Sequence, residues 1–325
     1  MRWILIIALL VVALAWGAST WSVAQPFAGQ RAIKLETRAE PARVEAIVRT
    51  LCERFPHRHP GNSEQMEASR AWLEEQLKSL ELRPVRELVE VRGQLLFNMH
   101  ARLGPDDGAH VIVGAHYDAH PATPGADDNA SGVAAVLEVA RILKTTEPRC
   151  LVEISLWTTE EPPFFRTADM GSAHHVARLR ASNVAVRAAF SLEMLGDFKD
   201  GAGTQNYPPR FPASLVYPSA ANFVLLLGDS STTELTRHLK AAFAGTSTVP
   251  IESANVPRTM GGADFSDHLN FWNAGYTAFM VTDSAFLRNP NYHRDTDRPD
   301  TLDFKRLAAA ADGVAAMALA ACEEP

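Results

Sequence analysis

The sequence is poor in cysteine and has no surplus of positive charge. Its 325 residues include three cysteines, Cys52, Cys150 and Cys322, and none has the C-x-x-C spacing of a thiolate metal site. The net charge is -7, and no long basic run is present, which excludes nucleic acid as an expected partner. Three cysteines do not indicate a disulfide framework. Cys150 opens an apolar run, so we expect it in the core. A Cys52–Cys322 bridge is conceivable in an oxidising compartment.

The amino-terminal region lacks charge from Trp3 to Gln30. A long apolar run follows a single arginine and precedes small and polar residues, which is the plan of a secretory signal with Ser22–Ala24 as a possible cleavage site. The same stretch is long enough to span a bilayer as an uncleaved anchor, attached through residues 3–24. No cysteine follows the apolar run, which disfavours a lipoprotein anchor.

Both interpretations of the leader place the rest of the chain outside the cytoplasm. We therefore predict that residues 1–30 are a signal peptide or an N-terminal membrane anchor. Residues 31–325 are expected to form one functional domain, periplasmic or extracellular, which is either secreted or anchored. The oligomeric state has no signature in the sequence.

Apolar runs typical of buried strands alternate with amphipathic helical segments. The strand candidates are "LLFNMHARL", "HVIVGAH", "CLVEISLWTT", "VRAAFSLEML", "ASLVYP", "NFVLLLGD" and "YTAFMVTD". Helices are indicated by "EPARVEAIVRTLCERF", "NSEQMEASRAWLEEQLKSL", "ASGVAAVLEVARIL" and the final segment Leu302–Cys322. Such alternation predicts an α/β fold, a single globular domain with a mixed, mostly parallel central β-sheet flanked by helices.

Histidines and carboxylates follow four of the predicted strands. They occur in "GAHYDAH", "TTEEPPFF", "SLEMLGD" and "PNYHRDTDRPDTLD". In an open α/β sheet the ligand site lies beyond the carboxyl ends of the strands. Imidazole nitrogen and carboxylate oxygen are ligands of zinc, and two histidines with three carboxylates suit a pair of divalent ions better than one.

Each of these signals has an ordinary structural explanation when it is taken alone. His116 at a strand end is most often a surface or hydrogen-bonded histidine, "DDNASG" a turn with a helix cap, and "EE" a solvated pair. Their occurrence together, at successive strand ends, favours a site.

The order of these motifs resembles a known family. "H-Y-D", "G-A-D-D-N-A-S-G", "E-E-P-P-F-F", "L-E-M-L-G", "S-D-H" and "Y-H-R-D-T-D" are similar to segments of the M28 zinc peptidases. This group contains aminopeptidases, glutamate carboxypeptidases and glutaminyl cyclases, and "EEPPFF" looks like a bacterial branch of it. The resemblance runs from "PHRHPG" to the final helix and implies the zinc-exopeptidase fold.

The resemblance implies a role for each polar residue of the motifs. The metal ligands would be His116 and Glu193 on the first ion, Glu161 and His293 on the second, and Asp127 bridging both. Glu160 would be the general base that moves a proton from water to the leaving amine. Glu193 stands where the best-known aminopeptidases have Asp, so the distribution of metals between the two positions is less constrained.

The residues around the ligands acquire supporting roles from the same resemblance. Asp118 would orient His116 through its second ring nitrogen, and Tyr292 would hydrogen-bond the oxyanion. A cis peptide is expected between Asp127 and Asp128. Substrate contacts are expected from His268 and, for a substrate carboxylate, from Arg288 or its neighbour Arg294.

Together these expectations describe an exported metallo-exopeptidase acting on peptides. The resemblance implies two Zn²⁺ per chain, with Co or Mn as possible substitutes. An aminopeptidase is the expected activity because it is the most frequent one in the family. Two alternatives stay open: a single-zinc glutaminyl cyclase, and a catalytically silent ectodomain of the same fold.

Overall fold

Eight strands form one sheet in the computed structural model, which describes residues 17, 20–106, 108–208 and 215–323. The sheet order is β1-β2-β4-β3-β5-β8-β6-β7. The strands are β1 (Val85–Val91), β2 (Gln94–Leu103), β3 (Ala109–His116), β4 (Leu151–Trp157), β5 (Ala185–Glu193), β6 (Val224–Asp229), β7 (Ile251–Val256) and β8 (Ala278–Thr282).

Helices cover both faces of this sheet, so the domain has three layers. They are α1 (Pro41–Arg54), α2 (Ser63–Ser79), α3 (Gly132–Thr146), α4 (Gly171–Ala181), α5 (Thr233–Thr246), α6 (His268–Asn273) and α7 (Phe304–Ala321). The larger core lies under α1, α2, α3, α5 and α7, and a smaller one lies under α4 and α6. The predicted α/β fold with a flanked sheet is confirmed.

Consecutive apolar residues in β3 are explained by burial on both faces. Val111 and Val113 belong to the larger core, whereas Ile112 between them belongs to the smaller one. Side chains alternate between the faces of a strand, so a central strand covered twice must be apolar at nearly every position.

Four central strands point in the same direction and bring the functional residues together. β4, β3, β5 and β8 are mutually parallel, and antiparallel pairing occurs only toward the two ends of the sheet. His116 is the last residue of β3, and Glu193 is the last residue of β5. The shared carboxyl edge predicted for these residues is therefore formed.

Some elements differ from the sequence-based prediction. The described part of "ASLVYP", residues 215–218, is a turn rather than a strand. The strands β1 and β7 lie at the two edges of the sheet and were not predicted; β1 is largely exposed, and β7 alternates between buried and half-buried residues, so both contain polar positions. Within the part of the chain that the structure describes, no helix is long and apolar enough to cross a membrane.

The disulfide joins a different pair of cysteines from the one considered above. Cys150, directly before β4, is bonded to Cys322, directly after α7, with a Cα–Cα distance of 5.3 Å. Cys52 is a buried free thiol in α1, and burial raises the pKa of this thiol to about 12. The Cys52–Cys322 pairing is wrong because α7 ends beside the first residue of β4.

Candidate metal centre

Two groups of three ligand atoms share one carboxylate at the carboxyl edge of the sheet. His116, Asp128 and Glu193 form the first group, and Asp128, Glu161 and His293 form the second. His116 Nε2 lies 3.2 Å from Glu193 Oε2 and 3.5 Å from Asp128 Oδ1. His293 Nε2 lies 3.2 Å from Asp128 Oδ2 and 3.3 Å from Glu161 Oε2. Donor atoms around a tetrahedral zinc ion lie about 3.3 Å apart, so both groups have the spacing of a zinc site.

The shared carboxylate is that of Asp128, and the prediction of Asp127 is wrong. The two oxygens of Asp128 face the two histidines, one each. Asp127 turns away and accepts hydrogen bonds from Gly196 N at 2.8 Å and from Asn289 Nδ2 at 2.6 Å. The cis peptide also lies one residue later than predicted, between Asp128 and Asn129.

Buried atoms without partners indicate that this site is built for cations. His116 Nε2 and Glu161 Oε1 are buried and have no hydrogen-bond partner. Burial and the adjacent Asp128 carboxylate raise the pKa of Glu161 to about 8. Burial also raises the pKa of Glu160 well above its usual range. Divalent cations would satisfy these atoms and neutralise the charge, so the donor set fits two zinc ions.

Glu160 is the remaining carboxylate beside the first group. Its Oε2 lies 3.9 Å from His116 Nε2, and the side chain is buried. Asp118 fixes this turn, because its carboxylate accepts the backbone N–H of Glu160 at 3.2 Å and of Glu161 at 3.1 Å. Asp118 also faces the His116 ring: its carbonyl oxygen lies 3.2 Å from Nδ1 and its Oδ1 lies 3.5 Å away. Its predicted contact with His116 is thus present, largely through the backbone.

Other buried polar groups clamp the loops that carry the ligands. Asp297 accepts the backbone N–H of Asp127 at 2.9 Å and of Asp128 at 3.2 Å. Fully buried Arg58, from the "PHRHPG" segment, donates to the carbonyl oxygens of Tyr117, Pro124 and Gly125 at 2.8, 2.8 and 2.7 Å. Arg58 therefore holds both ends of the loop that runs from His116 to the metal-facing Asp128.

Three residues beside the site adopt left-handed backbone conformations that non-glycine residues rarely occupy. Thr159 precedes Glu160, Met194 follows Glu193, and His293 is itself a candidate ligand; their φ angles are 55°, 49° and 57°. Each such conformation costs on the order of 1 kcal/mol. The surrounding hydrogen bonds must supply this energy, which is typical of functional sites.

Aromatic rings line the His293 side of the site. The ring of Tyr292 stacks on His293 with a centroid separation of 3.8 Å, and the ring of His120 also stacks on His293, at 4.3 Å. Burial and the surrounding carboxylates raise the pKa of Tyr292 above its usual range, so its hydroxyl stays protonated. The predicted position of Tyr292 beside the reacting groups is consistent with this placement, whereas the contribution of His120 was missed.

The two residues predicted to contact substrate, His268 and Arg288, are both buried. His268 is fully buried, with Nε2 2.7 Å from the carbonyl oxygen of Ala263 and its ring edge-on to Trp272. Arg288 is also buried, and its guanidinium donates to Gln205 Oε1 at 2.9 Å and to Phe223 O at 2.9 Å. Both side chains make their hydrogen bonds to the loops around the site.

The residue before His268 faces the site instead. Asp267 is fully buried, and burial raises its pKa to about 7 against the opposing effect of the His116 imidazole. Neighbouring Ser266 donates from Oγ to Glu193 Oε2 at 2.8 Å. The "FSDH" motif therefore contributes through its serine and aspartate.

A third group of potential ligands, under α4, is a hydrogen-bonded network. It consists of His100, Glu153 and His175. The indole N–H of Trp157 donates to His175 Nδ1 at 3.0 Å, and a neutral imidazole that accepts at one nitrogen carries its proton on the other. That protonated nitrogen, Nε2, faces Glu153 Oε1 at 2.7 Å and cannot bind a metal.

The same network predicts that stability falls as the pH is lowered. Burial and the nearby His100 lower the pKa of His175 to about 4, whereas an unfolded histidine titrates near pH 6.5. Between these values the unfolded chain binds a proton that the folded chain does not, so the free energy of unfolding should decrease by about 3 kcal/mol. Denaturant unfolding at pH 7, 5.5 and 4 measures this loss.

Charged groups surround His175, and a variant of the adjacent His174 provides the control for this prediction. Arg102 donates to Glu153 Oε2 at 2.9 Å, Arg178 Nη2 lies 3.5 Å from Oε1, and Glu87 Oε2 lies 3.0 Å from His100 Nε2. The His175→Gln variant should lose the part of the slope between pH 6.5 and 4 that His175 contributes, whereas a His174→Gln variant should keep it. Equal slopes in the two variants would assign the loss to other groups.

Metal removal should loosen the site as well as stop any reaction there. Chelation leaves the carboxylates of Asp128, Glu160, Glu161 and Glu193 crowded and buried. Ions that bind only the folded chain stabilise it by about 4 kcal/mol at a free concentration 1,000-fold above Kd. We expect EDTA to lower Tm by roughly 10 °C, and zinc to restore it. An unchanged Tm after verified zinc removal would contradict the proposed neutralisation.

The sequence matches the family model described as Peptidase family M28 over residues 98–318. It is 38% identical over 285 residues to YfbL of Escherichia coli strain K12, an uncharacterized protein, covering 85% of this chain and 87% of YfbL. It is 29% identical over 210 residues to aminopeptidase YwaD of Bacillus subtilis, covering 63% of this chain and 40% of YwaD.

Solved structures confirm the zinc-exopeptidase fold. LapB from Legionella pneumophila superimposes with a TM-score of 0.66 at 21% identity, covering 86% of this chain and 71% of that one. A glutaminyl cyclase from Bacteroides thetaiotaomicron superimposes with a TM-score of 0.63 at 17% identity, covering 87% and 98%. The chain thus shares its architecture with LapB and with a glutaminyl cyclase.

Proposed function

Because the chain belongs to peptidase family M28, we propose that it is a zinc-dependent aminopeptidase with two metal ions sharing Asp128. The observation that carries this proposal is the pair of three-atom ligand groups joined by Asp128, with Glu160 beside them. Two ions with a shared carboxylate suit hydrolysis, since both can act on one water molecule. Cobalt or manganese could replace zinc at such oxygen and nitrogen ligands.

Glu160 is the proposed general base and acid. Zinc bound to these ligands would acidify a water molecule and polarise the scissile carbonyl. Glu160 takes a proton from the attacking water and delivers it to the nitrogen of the leaving amine. Asp118 accepts hydrogen bonds from the backbone N–H groups of Glu160 and Glu161, and these bonds fix the positions of the base and of the neighbouring ligand.

Tyr292 is the proposed donor to the oxyanion. The stacking of its ring on His293 holds it at the edge of the second ligand group. A protonated phenol is a hydrogen-bond donor at neutral pH, and donors aimed at developing negative charge lower the barrier by a few kcal/mol.

The charge of the site favours a substrate with a free α-amine. When all are ionised, the five buried carboxylates that line the site carry one negative charge more than two zinc ions neutralise; they are Asp128, Glu160, Glu161, Glu193 and Asp267. Of the two arginines expected to bind a substrate carboxylate, Arg288 is buried and hydrogen-bonded to the loops, whereas Arg294 is exposed; Arg166 is paired with Asp264. An ammonium group suits this surplus of negative charge, whereas a carboxylate would be repelled.

Substrates that differ only at their ends test this proposal. Aminoacyl p-nitroanilides with a free amine should be hydrolysed, and their N-acetyl derivatives should not. Peptides blocked at the amino end but free at the carboxyl end should also be inert. Cyclisation of N-terminal glutamine without hydrolysis of any anilide would instead establish a cyclase.

A further inference from the structure

The segment before α1 is built into the domain. Ala24 is 2% exposed and Gln25 is fully buried, although both lie within the predicted leader. They pack where β7, the last strand of the sheet, meets α5. The possible cleavage site after Ala24 is therefore part of the folded structure.

The carbonyl group of Ala24 accepts two hydrogen bonds from buried side chains. Lys240 Nζ, on α5, donates at 3.0 Å, and Ser253 Oγ, on β7, donates at 2.8 Å. Lys240 is only 7% exposed, and its other acceptor is Glu252 Oε2 at 3.2 Å. The Ala24 carbonyl thus satisfies a buried ammonium and a buried hydroxyl at the edge of the sheet, where unpaired groups are costly.

Contacts continue on both sides of Ala24. On the amino-terminal side, the Arg237 guanidinium lies over the ring of Trp21 at 4.3 Å, and Thr233 Oγ1 donates to Ser22 O at 3.4 Å. On the carboxyl-terminal side, Arg31 N donates to Ala241 O at 2.8 Å, and Ile33 N donates to Thr246 Oγ1 at 3.0 Å. The segment from 21 to 33 follows α5 throughout.

Cleavage after Ala24 would remove these hydrogen bonds and add a positive charge at the same place. Lys240 and Ser253 would lose their shared acceptor. The new α-ammonium of Gln25 would appear one bond from the position of the lost carbonyl carbon, beside the ammonium of Lys240. Two like charges destabilise each other, so a chain cut at this position would fold with two ammonium groups beside the single carboxylate of Glu252.

We propose that the leader is retained and that it attaches the domain to a lipid bilayer. Residues 3–19 contain no charged side chain and, at 17 residues, reach the lower end of the range for a transmembrane helix. Arg2 precedes this stretch in the sequence, and by the positive-inside rule it would stay in the cytoplasm and orient the domain outward. The disulfide between Cys150 and Cys322 suits an oxidising compartment on that side.

The mass and location of the full chain test the proposal. The chain, with a C-terminal affinity tag, is produced in a Gram-negative host and the membranes are washed with alkaline carbonate. We expect the protein to remain in the washed membranes and its intact mass to correspond to a chain that begins at Met1. A chain that begins at Gln25, or one released by the wash, would overturn the proposal.

A matched variant shows whether the site after Ala24 is processed at all. Ser22 is exposed, and a lysine there removes the small residue that signal peptidase requires three positions before the cut. Ser22→Lys and the unchanged chain should share the same amino terminus and the same membrane fraction. If only the variant retained Met1, the leader would be a cleaved signal.

Discussion

Replacement of Glu160 by Gln should lower kcat for aminoacyl p-nitroanilides by about 10²–10⁴-fold. The amide has nearly the same shape as the carboxylate but cannot take a proton from water. Glu160 is outside both three-atom ligand groups, so the bound zinc should stay at the wild-type level. Steady-state kinetics and metal analysis of the same preparation measure both quantities.

The neighbouring glutamate provides the control for this variant. Glu161 belongs to the second ligand group, so Glu161→Gln should lose zinc together with activity. Loss of zinc in Glu160→Gln would show that Glu160 is a ligand. Retained zinc and retained turnover in Glu160→Gln would remove Glu160 from the mechanism.

Replacement of Asp128 by Asn should reduce zinc binding, whereas the same replacement of the adjacent Asp127 should not. Asp128 places one oxygen near each histidine, and an amide has only one oxygen to offer. Asp128→Asn should therefore bind at most one zinc ion tightly and lose about 100-fold or more in kcat/KM. Inductively coupled plasma mass spectrometry on protein dialysed against metal-free buffer gives the stoichiometry.

Asp127→Asn should retain two zinc ions. Its side chain contacts Gly196 and Asn289 rather than the ligand groups, and an asparagine can still accept one of these two hydrogen bonds. We expect a destabilisation of about 1–3 kcal/mol, seen as a lower Tm. Two zinc ions in Asp128→Asn and fewer in Asp127→Asn would restore Asp127 as the bridging residue.

Strong periodicity made the central elements of this fold predictable. The strands β3, β4 and β5 are apolar at nearly every position because both faces are covered, and they were identified together with α1, α2 and α7. The edge strand β1 has residues that alternate with solvent, including exposed Leu88 and Val85, so its pattern does not differ from that of a loop. Whether such an edge segment forms a strand depends on its pairing with the neighbouring strand.

The sequence predicted which types of residue form the site but not which side chains point into it. Two adjacent aspartates, Asp127 and Asp128, are equivalent in a sequence, and the fold of the turn decides which carboxylate faces the histidines. For the same reason, His268 was chosen in place of Asp267, one residue before it. The spacing of motifs locates a strand end to within a residue, whereas side-chain orientation depends on backbone geometry.

Buried arginines were the least predictable part of the centre. Arg288 near a ligand suggested a substrate contact, but the structure places it beneath the loops. Arg58 carried no signal of its own, yet it donates to carbonyl oxygens at both ends of the loop between His116 and Asp128. An arginine satisfied by backbone carbonyls has no sequence motif, because its partners are peptide groups available from any residue.

Zinc titration of the chelated full chain, followed by hydrolysis of a leucyl p-nitroanilide, tests the central claim most directly. Activity should be absent without metal and should rise to its maximum as the second equivalent of zinc binds. A maximum at one equivalent, or no hydrolysis at two, would contradict a hydrolase whose two ions share Asp128.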